Sequence, residues 1–320
     1  MDSIHVTLPG GKSVDVRPGI CVDELAIQAG VKKDIVAAKV DGRLVDLSRA
    51  LEQDATLEWV SAESADGLDT LRHSTAHLMA QAVQSLFPGT QVTIGPTIEN
   101  GFYYDFKRSE PFTPEELELI EKRMQELAKA DLKIVREEML RGEAAELFRK
   151  MGEDYKVEII EGIPEERVSL YRQGDWVDLC RGPHVPSTAA IKAFKLTSIA
   201  GAYWRGDSRN EQLQRIYGTA WANKKDLEAY LKRVEEAKQR DHRRLGPALD
   251  LFSLHPIAPG SPFFHPKGTV IYNRLIQYIR TLYERYGYTE VVTPLIYKTD
   301  LWKTSGHYEA FREDMFLMDV

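Results

Sequence analysis

Apolar and polar residues alternate at the start of the chain, with Ile4, Val6 and Leu8 interleaved by His5 and Thr7. A period of two predicts a strand. Pro9-Gly10-Gly11 supplies a turn and Ser13 to Val16 a second strand, so residues 4–16 are expected to form a hairpin. Val22 to Ala29, closed by Gly30, has the length and stop signal of a short helix. VAAKV, Asp41-Gly42 and RLVDL then predict a second hairpin, and Ala55 to Val60 alternates once more. Two hairpins, one helix and a closing strand within about sixty residues predict a small half-open sheet wrapped on a helix.

Ser61 to Thr70 is small and polar and is expected to be a linker. A helix from about Leu71 to Phe87 follows, stopped by Pro88-Gly89, and QVTIGPTIENGFYYDF mixes strand residues with turn signals. Thr113-Pro114-Glu115-Glu116 is a capping box with proline at the first helical position, opening an amphipathic helix to about Ala130. Glu143 to Met151 is expected to be a shorter helix, and Tyr155 to Ile160 and Val168 to Tyr171 to be strands. Lys224 to Leu245 is expected to be one long charged helix whose second half gathers Lys238, Arg240, Arg243 and Arg244. Such a charge-rich helix is either a solvated spacer or a nucleic-acid contact. A third unit opens beyond it.

Two polar clusters stand out against this background, His73-Ser-Thr-Ala-His77 and Cys180-Arg-Gly-Pro-His184. On a helix, a spacing of four stacks two side chains on one face. Meeting in one pocket, the four groups would have the composition of a hydrolytic or a zinc site. Taken singly, the residues have plainer readings. Cys180 could be a small buried side chain, Lys156 a solvent-facing neighbour of Val157 in a strand, Asp178 the start of a turn, and Gly182-Pro183 a tight turn.

At 320 residues, 43% hydrophobic and 28% charged, the chain has room for two or three packed domains. The N-terminal segment lacks the apolar run of a signal peptide, and no stretch approaches the ~18 to 20 apolar residues of a membrane span. Cys21 and Cys180 are too few and too far apart for a disulfide framework, so a reducing cytoplasmic setting is expected, with no membrane partner. A net charge of −7 argues against a protein coated with nucleic acid, DNA included, while leaving room for a local basic stripe.

HSTAHL, IGPTIENGFYYDF, YKVEII, DLCRGPHV, GAYWRGD and LQRIYGTAWANKKDL occur here in the order and spacing of bacterial-type threonyl-tRNA synthetases. Gly287-Tyr288, Val291-Val292 and Pro294 resemble the first signature of class II synthetases, and the opening hairpins resemble the β-grasp module called TGS. The resemblance spans nearly the whole chain. It implies an α+β multidomain protein: a TGS β-grasp domain at residues 1–61, an α+β editing domain at 62–224, a linker helix at 225–245 and, at 246–320, an incomplete class II antiparallel β-sheet domain.

The resemblance also implies an activity: threonine attachment to tRNA by the parent enzyme, and hydrolysis of serine wrongly attached to tRNA(Thr) by the editing domain. His73, His77, Lys156, Asp178, Cys180 and His184 are the implied catalytic set, and Gly95 and Tyr103 weaker substrate-binding candidates. Asp178 would orient a histidine or bind the substrate ammonium; Lys156 would orient water or meet developing negative charge; an alternative role for His73 is contact with the terminal ribose or the ester. Pro294 would lie at a homodimer interface of the parent. The second and third class II signatures, with the arginines for ATP-Mg and the zinc site for threonine, are expected beyond residue 320, so aminoacylation is not expected of this stretch. Phe311-Arg312-Glu313-Asp314 superficially mimics the second signature but follows Pro294 too soon. For editing, metal-independent water activation is expected; His73, His77, Cys180 and His184 as a zinc set in an alanyl-type deacylase is one alternative, and an idle tRNA-binding module another.

Overall fold

The computed structural model describes residues 3–31 and 34–318. The ends of the first and last predicted domains lie outside the described residues. The chain divides into two compact units, residues 1–234 and 235–320.

The alternation at the N-terminus does what it predicts. Ile4 and Val6 point into a core with Leu25, Leu47 and Leu57, while His5 faces out. Strand Ile4–Thr7 pairs antiparallel with Ser13–Val16 across the Pro9-Gly10-Gly11 turn and parallel with Ala55–Ser61. Ile35–Val40 joins the far side of Ala55–Ser61 and carries Arg43–Val45 at the edge. The helix Val22–Gln28 buries Val22, Leu25 and Ala26 against this five-stranded mixed sheet, which is the β-grasp arrangement.

The expected linker is largely absent. The helix begins at Ala65 and runs to Leu86, so its first two turns occupy most of Ser61 to Thr70. Ser64 accepts a hydrogen bond from the Gly67 N–H, and the polar run is a helix start, not a flexible spacer. Gly67 has a packing reason: a Cβ there would lie 1.9 Å from the Ser61 carbonyl oxygen, so only glycine lets the β-grasp strand end against this helix.

Two sheets follow in the same unit. Ala193–Tyr203, Gln212–Trp221, Gly101–Lys107 and Gln91–Val92 form one, antiparallel throughout, with Thr97–Ile98 paired to Gly101–Lys107. Ile134–Leu140, Arg167–Gln173 and Trp176–Leu179 form the other. Leu71, Leu78, Met79 and Val83 of the long helix share the main core with Phe102, Tyr104 and Phe106 of the first sheet. The capping box at Thr113 and Glu116 forms as expected and opens helix Pro114–Lys129.

Tyr155 to Ile160 is a helix, Asp154–Glu161, and not the expected strand. Its β-branched residues favour a strand in isolation, but a six-residue segment is too short for its apolar positions to separate the two periods. Packing decides: Tyr155, Lys156 and Ile160 are buried, with Ile160 in a core shared with Phe148, Val168 and Leu170.

The charged helix expected over Lys224 to Leu245 is two helices, Lys224–Gln239 and His242–Ala248. Asp241 breaks it, accepting the Arg243 N–H as an N-cap in place of continuing the turn. In the second unit Lys238, Arg240 and Arg243 each pair with a neighbouring acid, which suits a solvated spacer. That unit holds an antiparallel pair, Phe252–Leu254 with Pro262–Phe264, and helix Pro266–Tyr286 capped by Gly287 at φ 74°. Among the described residues it carries no larger sheet. The segment around Pro294 is exposed and outside any strand, with Val292 96% accessible. No helix among the described residues is long and apolar enough to cross a membrane.

Candidate functional site

The long helix presents His73 and His77 one turn apart, with Ser74 beside them. Their rings lie 5.1 Å apart between centroids, and each is 4.4 Å from the His184 ring. Cys180, just past strand Trp176–Leu179, places Sγ 3.1 Å from His73 Nε2 and 3.3 Å from His184 Nε2. One ligand atom from each of the four groups falls within 4.8 Å of all the others. The topology therefore brings His73, His77, Cys180 and His184 into one cluster. His77 and His184 are buried, whereas His73 and Cys180 keep part of their surface open.

Behind this cluster sits a second one. Lys156 is 3% exposed, the opposite of the solvent-facing lysine its local sequence suggests, and its Nζ is 2.6 Å from Asp178 Oδ1. Lys156 Nζ also donates to the Tyr104 hydroxyl at 2.9 Å, and that hydroxyl donates to Asp178 Oδ2 at 2.6 Å. Asp178 is fully buried and accepts the Leu179 N–H as well, with His77 Nδ1 3.6 Å from Oδ2. Helix Asp154–Glu161 presents Lys156 inward together with Tyr155 and Ile160.

Tyr104 is the residue sequence reasoning missed, having chosen Tyr103. Neighbours in a strand face opposite ways. Tyr104 points with Phe102 and Phe106 into the core and toward Asp178, while Tyr103 lies under the Arg215 guanidinium at 3.7 Å, beside Tyr217. Tyr103 therefore sits on the other face of the sheet. Gly95 is next to the site in a different sense, because a Cβ there would lie 2.2 Å from the Tyr104 ring. The parity of FYYDF carried a signal for Tyr104, since Phe102 and Phe106 flank it at spacing two.

Burial sets the electrostatics. It lowers all three imidazoles, opposed at His73 by the charges of Asp69, Asp178 and Asp46 and reinforced at His77 by the neighbouring His184 and His73 rings and then by Lys156. It pushes the Cys180 thiol up to about 12, against the pull of the Gly182 N–H. Burial and then the Asp178 charge hold the Tyr104 hydroxyl well above its ordinary range. Near neutral pH the cluster is thus three neutral imidazoles and a thiol. Ser74 settles one tautomer: its hydroxyl donates to the Thr70 carbonyl and accepts the Val185 N–H, so its contact with His184 Nδ1 must be donated by the ring. His184 Nε2 then offers a lone pair toward Cys180.

The donor set also fits a tetrahedral ion. Zinc–nitrogen and zinc–sulfur bonds of ~2.0 and ~2.3 Å imply N···S edges of about 3.5 Å, close to the two N···S separations of 3.1 and 3.3 Å, within a set whose four donor atoms all lie within 4.8 Å of one another. Ser74 behind His184 and Asp178 near His77 are outer partners of the kind that orient metal-bound imidazoles.

Comparison with known proteins places these elements. Residues 4–61 match the TGS domain, and residues 168–217 match the family described as "Threonyl and Alanyl tRNA synthetase second additional domain". A "Threonine--tRNA ligase" of Marinobacter nauticus is 57% identical over 314 residues, covering 97% of this chain and 49% of that protein. The chain is a relative of the threonine–tRNA ligases. Proteins of the same name from Hahella chejuensis and Geobacter sp. are 56% and 55% identical, over 97% and 100% of this chain. The chain spans about half the length of the curated relatives it matches. The match over 168–217 takes in Asp178, Cys180 and His184, while His73, His77 and Lys156 come from outside it.

Proposed function

We propose that this site hydrolyses the ester joining serine to the terminal adenosine of tRNA(Thr). The protein to which this stretch corresponds would attach threonine to that tRNA, using ATP with Mg and a zinc site that reads threonine. Cytoplasmic location and homodimerisation, with Pro294 near the interface, belong to that reading of the parent. The observation that carries the proposal is the meeting of His73, Cys180 and His184 with the buried Lys156–Asp178–Tyr104 group, in a chain related to threonine–tRNA ligases.

The need for such a site is physical. Serine lacks one methyl of threonine, and a pocket gains only ~1 to 3 kcal/mol from that methyl, or ~10 to 200-fold discrimination. A second, smaller pocket that accepts serine and cleaves it raises the ratio. Ester hydrolysis requires a positioned water, a base for its proton and stabilisation of the tetrahedral oxyanion. Neutral His73, part-open beside the cluster, has the protonation state of the base. Cys180 is a poor nucleophile while burial keeps it a thiol. Asp178 is saturated by Lys156, Tyr104, Leu179 and the nearby His77, which supports orienting a histidine over holding the substrate ammonium. Lys156, buried against Asp178 and Tyr104, acts on the site from behind the cluster. A cleft of about 400 Å³ borders Cys180 and Arg181; its Arg136 and Arg167 are both paired with Glu138 in the same wall.

The test offers seryl- and threonyl-tRNA(Thr) to the purified chain. Faster release of serine is expected; equal hydrolysis of both, or none of either, counts against a sieve. The fit of the N3S set favours a second reading, a zinc-dependent deacylase. Zinc would be held by His73, His77, Cys180 and His184, and it would supply an activated water only with a fifth position open or one of the four ligands displaced. Elemental analysis separates the two: stoichiometric zinc that disappears in Cys180→Ala favours the metal, and full serine release after chelation favours the metal-free site.

A further inference from the structure

The loop that carries half of the cluster is held from the other module. Asp46 follows edge strand Arg43–Val45 of the β-grasp module, yet its Oδ1 accepts the backbone N–H of His184 at 2.8 Å and its Oδ2 accepts the Tyr171 hydroxyl at 2.7 Å. The second contact tightens the first. Tyr171 stacks edge-on against the His184 ring at 4.4 Å, and its hydroxyl lies so close to Gly182 that a Cβ there would be 1.8 Å away. One carboxylate thus fixes the backbone of His184 and the ring that flanks both His184 and Gly182. Tyr171 is also the cross-strand partner of Asp178, so the same bond reaches the second cluster.

The platform under Asp46 is stiff. Its own carbonyl accepts the Arg49 N–H, and the next residue, Leu47, is buried in the β-grasp core. The Leu47 and Arg49 carbonyls accept the N–H groups of Asp23 and Val22 at the start of helix Val22–Gln28. Nothing in this arrangement needs Asp46 to touch a substrate. Its two acceptors are engaged by protein donors, and the charge-assisted bonds that result are the stronger class.

We propose that Asp46 is a positioning residue for hydrolysis: the β-grasp module clamps the Cys180–His184 loop in register with His73 and His77 through this one carboxylate. The inference rests on the hydrolytic reading of the site. Misplacement of a reacting group by about 1 Å costs on the order of 10²-fold, and loss of an outer orienting partner ~10- to 100-fold. Asp46→Ala is therefore expected to lower kcat for seryl-tRNA(Thr) release at least ~10-fold with KM changed less than about twofold. Asp46→Asn keeps an oxygen for the His184 N–H and offers its NH₂ to the Tyr171 oxygen, so it should recover most of what alanine loses. Tyr171→Phe keeps the His184 bond and should lose less than Asp46→Ala.

Amide hydrogen exchange on the whole chain provides a readout apart from activity. The His184 amide should lose protection in Asp46→Ala, while the Val185 amide, bonded to Ser74, keeps it. Wild-type kcat in Asp46→Ala, or asparagine as damaging as alanine, would overturn the proposal. Unchanged His184 exchange would do so as well. Absence of serine release by the wild-type chain would instead overturn the hydrolytic reading, with the exchange result still deciding whether Asp46 holds the loop.

Discussion

Lys156→Met removes the cation held against Asp178. The two charged atoms are 2.6 Å apart, and their side chains are 3% and 0% exposed. At an effective dielectric of ~20, charges at that spacing attract by about 6 kcal/mol. Part of this is offset because the ammonium no longer has to be desolvated, so truncating one partner of such a pair costs a net ~3 to 5 kcal/mol. A ceiling also applies. The stranded carboxyl can take up a proton, and at pH 7 that costs an aspartate of ordinary acidity ~1.4 kcal/mol for each of about three pH units, roughly 4 kcal/mol in all. The expected loss is therefore ~3 to 4 kcal/mol at pH 7. Its pH dependence follows from linkage: the folded variant then holds one proton that the unfolded chain lacks, so its stability relative to wild type rises on acidification. The gain is up to ~1.4 kcal/mol per unit between about pH 7 and 5. Urea unfolding followed by circular dichroism at several pH values measures both quantities. Lys156→Met combined with Asp178→Leu should recover most of the loss, because no charge is left stranded. A loss under ~1 kcal/mol that does not vary with pH would refute the buried ion pair and the helix that builds it.

The thiol makes a second prediction: with Cys180 pushed up to about 12, its thiolate fraction at pH 8 is ~10³-fold below that of a free cysteine, and iodoacetamide labelling read by peptide mass should be slower by that order. Labelling at a free-thiol rate would contradict it. Because burial lowers His73, serine release in chelator-treated protein should keep its plateau below pH 6.5 and fall only at lower pH. An acid limb at or above pH 6.5 would remove His73 as the base. Stability has the same sign: His77 and His184 stay neutral in the fold while the unfolded chain takes up protons, so stability present above pH ~6.5 is lost as pH falls, by up to ~1.4 kcal/mol per unit for each. Gly182→Ala meets the Tyr171 hydroxyl at 1.8 Å with φ at +71°. It should cost ~2 kcal/mol or more in thermal unfolding and abolish serine release, whereas a near-wild-type melt would mean that Tyr171 moves aside.

The legible parts of this chain are those whose pattern is local and long. Ile4, Val6 and Leu8 against His5 and Thr7 carry a period that no helix fits, and Thr113 with Glu116 is a complete capping signal within four residues. The His73 and His77 pair needed only a helix to share a face, and their helix is long enough to be unambiguous. Failures occur where a short segment admits two periods or where a neighbour supplies the deciding contact. Ser61 to Thr70 reads as a linker on composition, yet the Gly67 approach to Ser61 shows it packed as a helix start. The strand parity that separates Tyr104 from Tyr103 was present in the sequence, and its use would have placed the right tyrosine against Asp178.

The second cluster shows why some chemistry stays hidden until the chain is folded. Lys156, Asp178 and Tyr104 come from a helix and two strands of different sheets, and no spacing relates them. A lysine beside valine in YKVEII has no reason to be buried until Asp178 compensates its charge, and Asp178 has none until Lys156 and Tyr104 compensate it. Each burial is costly alone and tolerable only jointly, so no single residue advertises it. The imidazole–thiol cluster differs because neutral histidines and a thiol can be buried one at a time at modest cost. Their motifs can therefore be read singly, while the ion pair behind them can be read only as a set. That difference also predicts which mutations separate folding from chemistry: Cys180→Ala should slow serine release with little change in melting, whereas Lys156→Met should lower both.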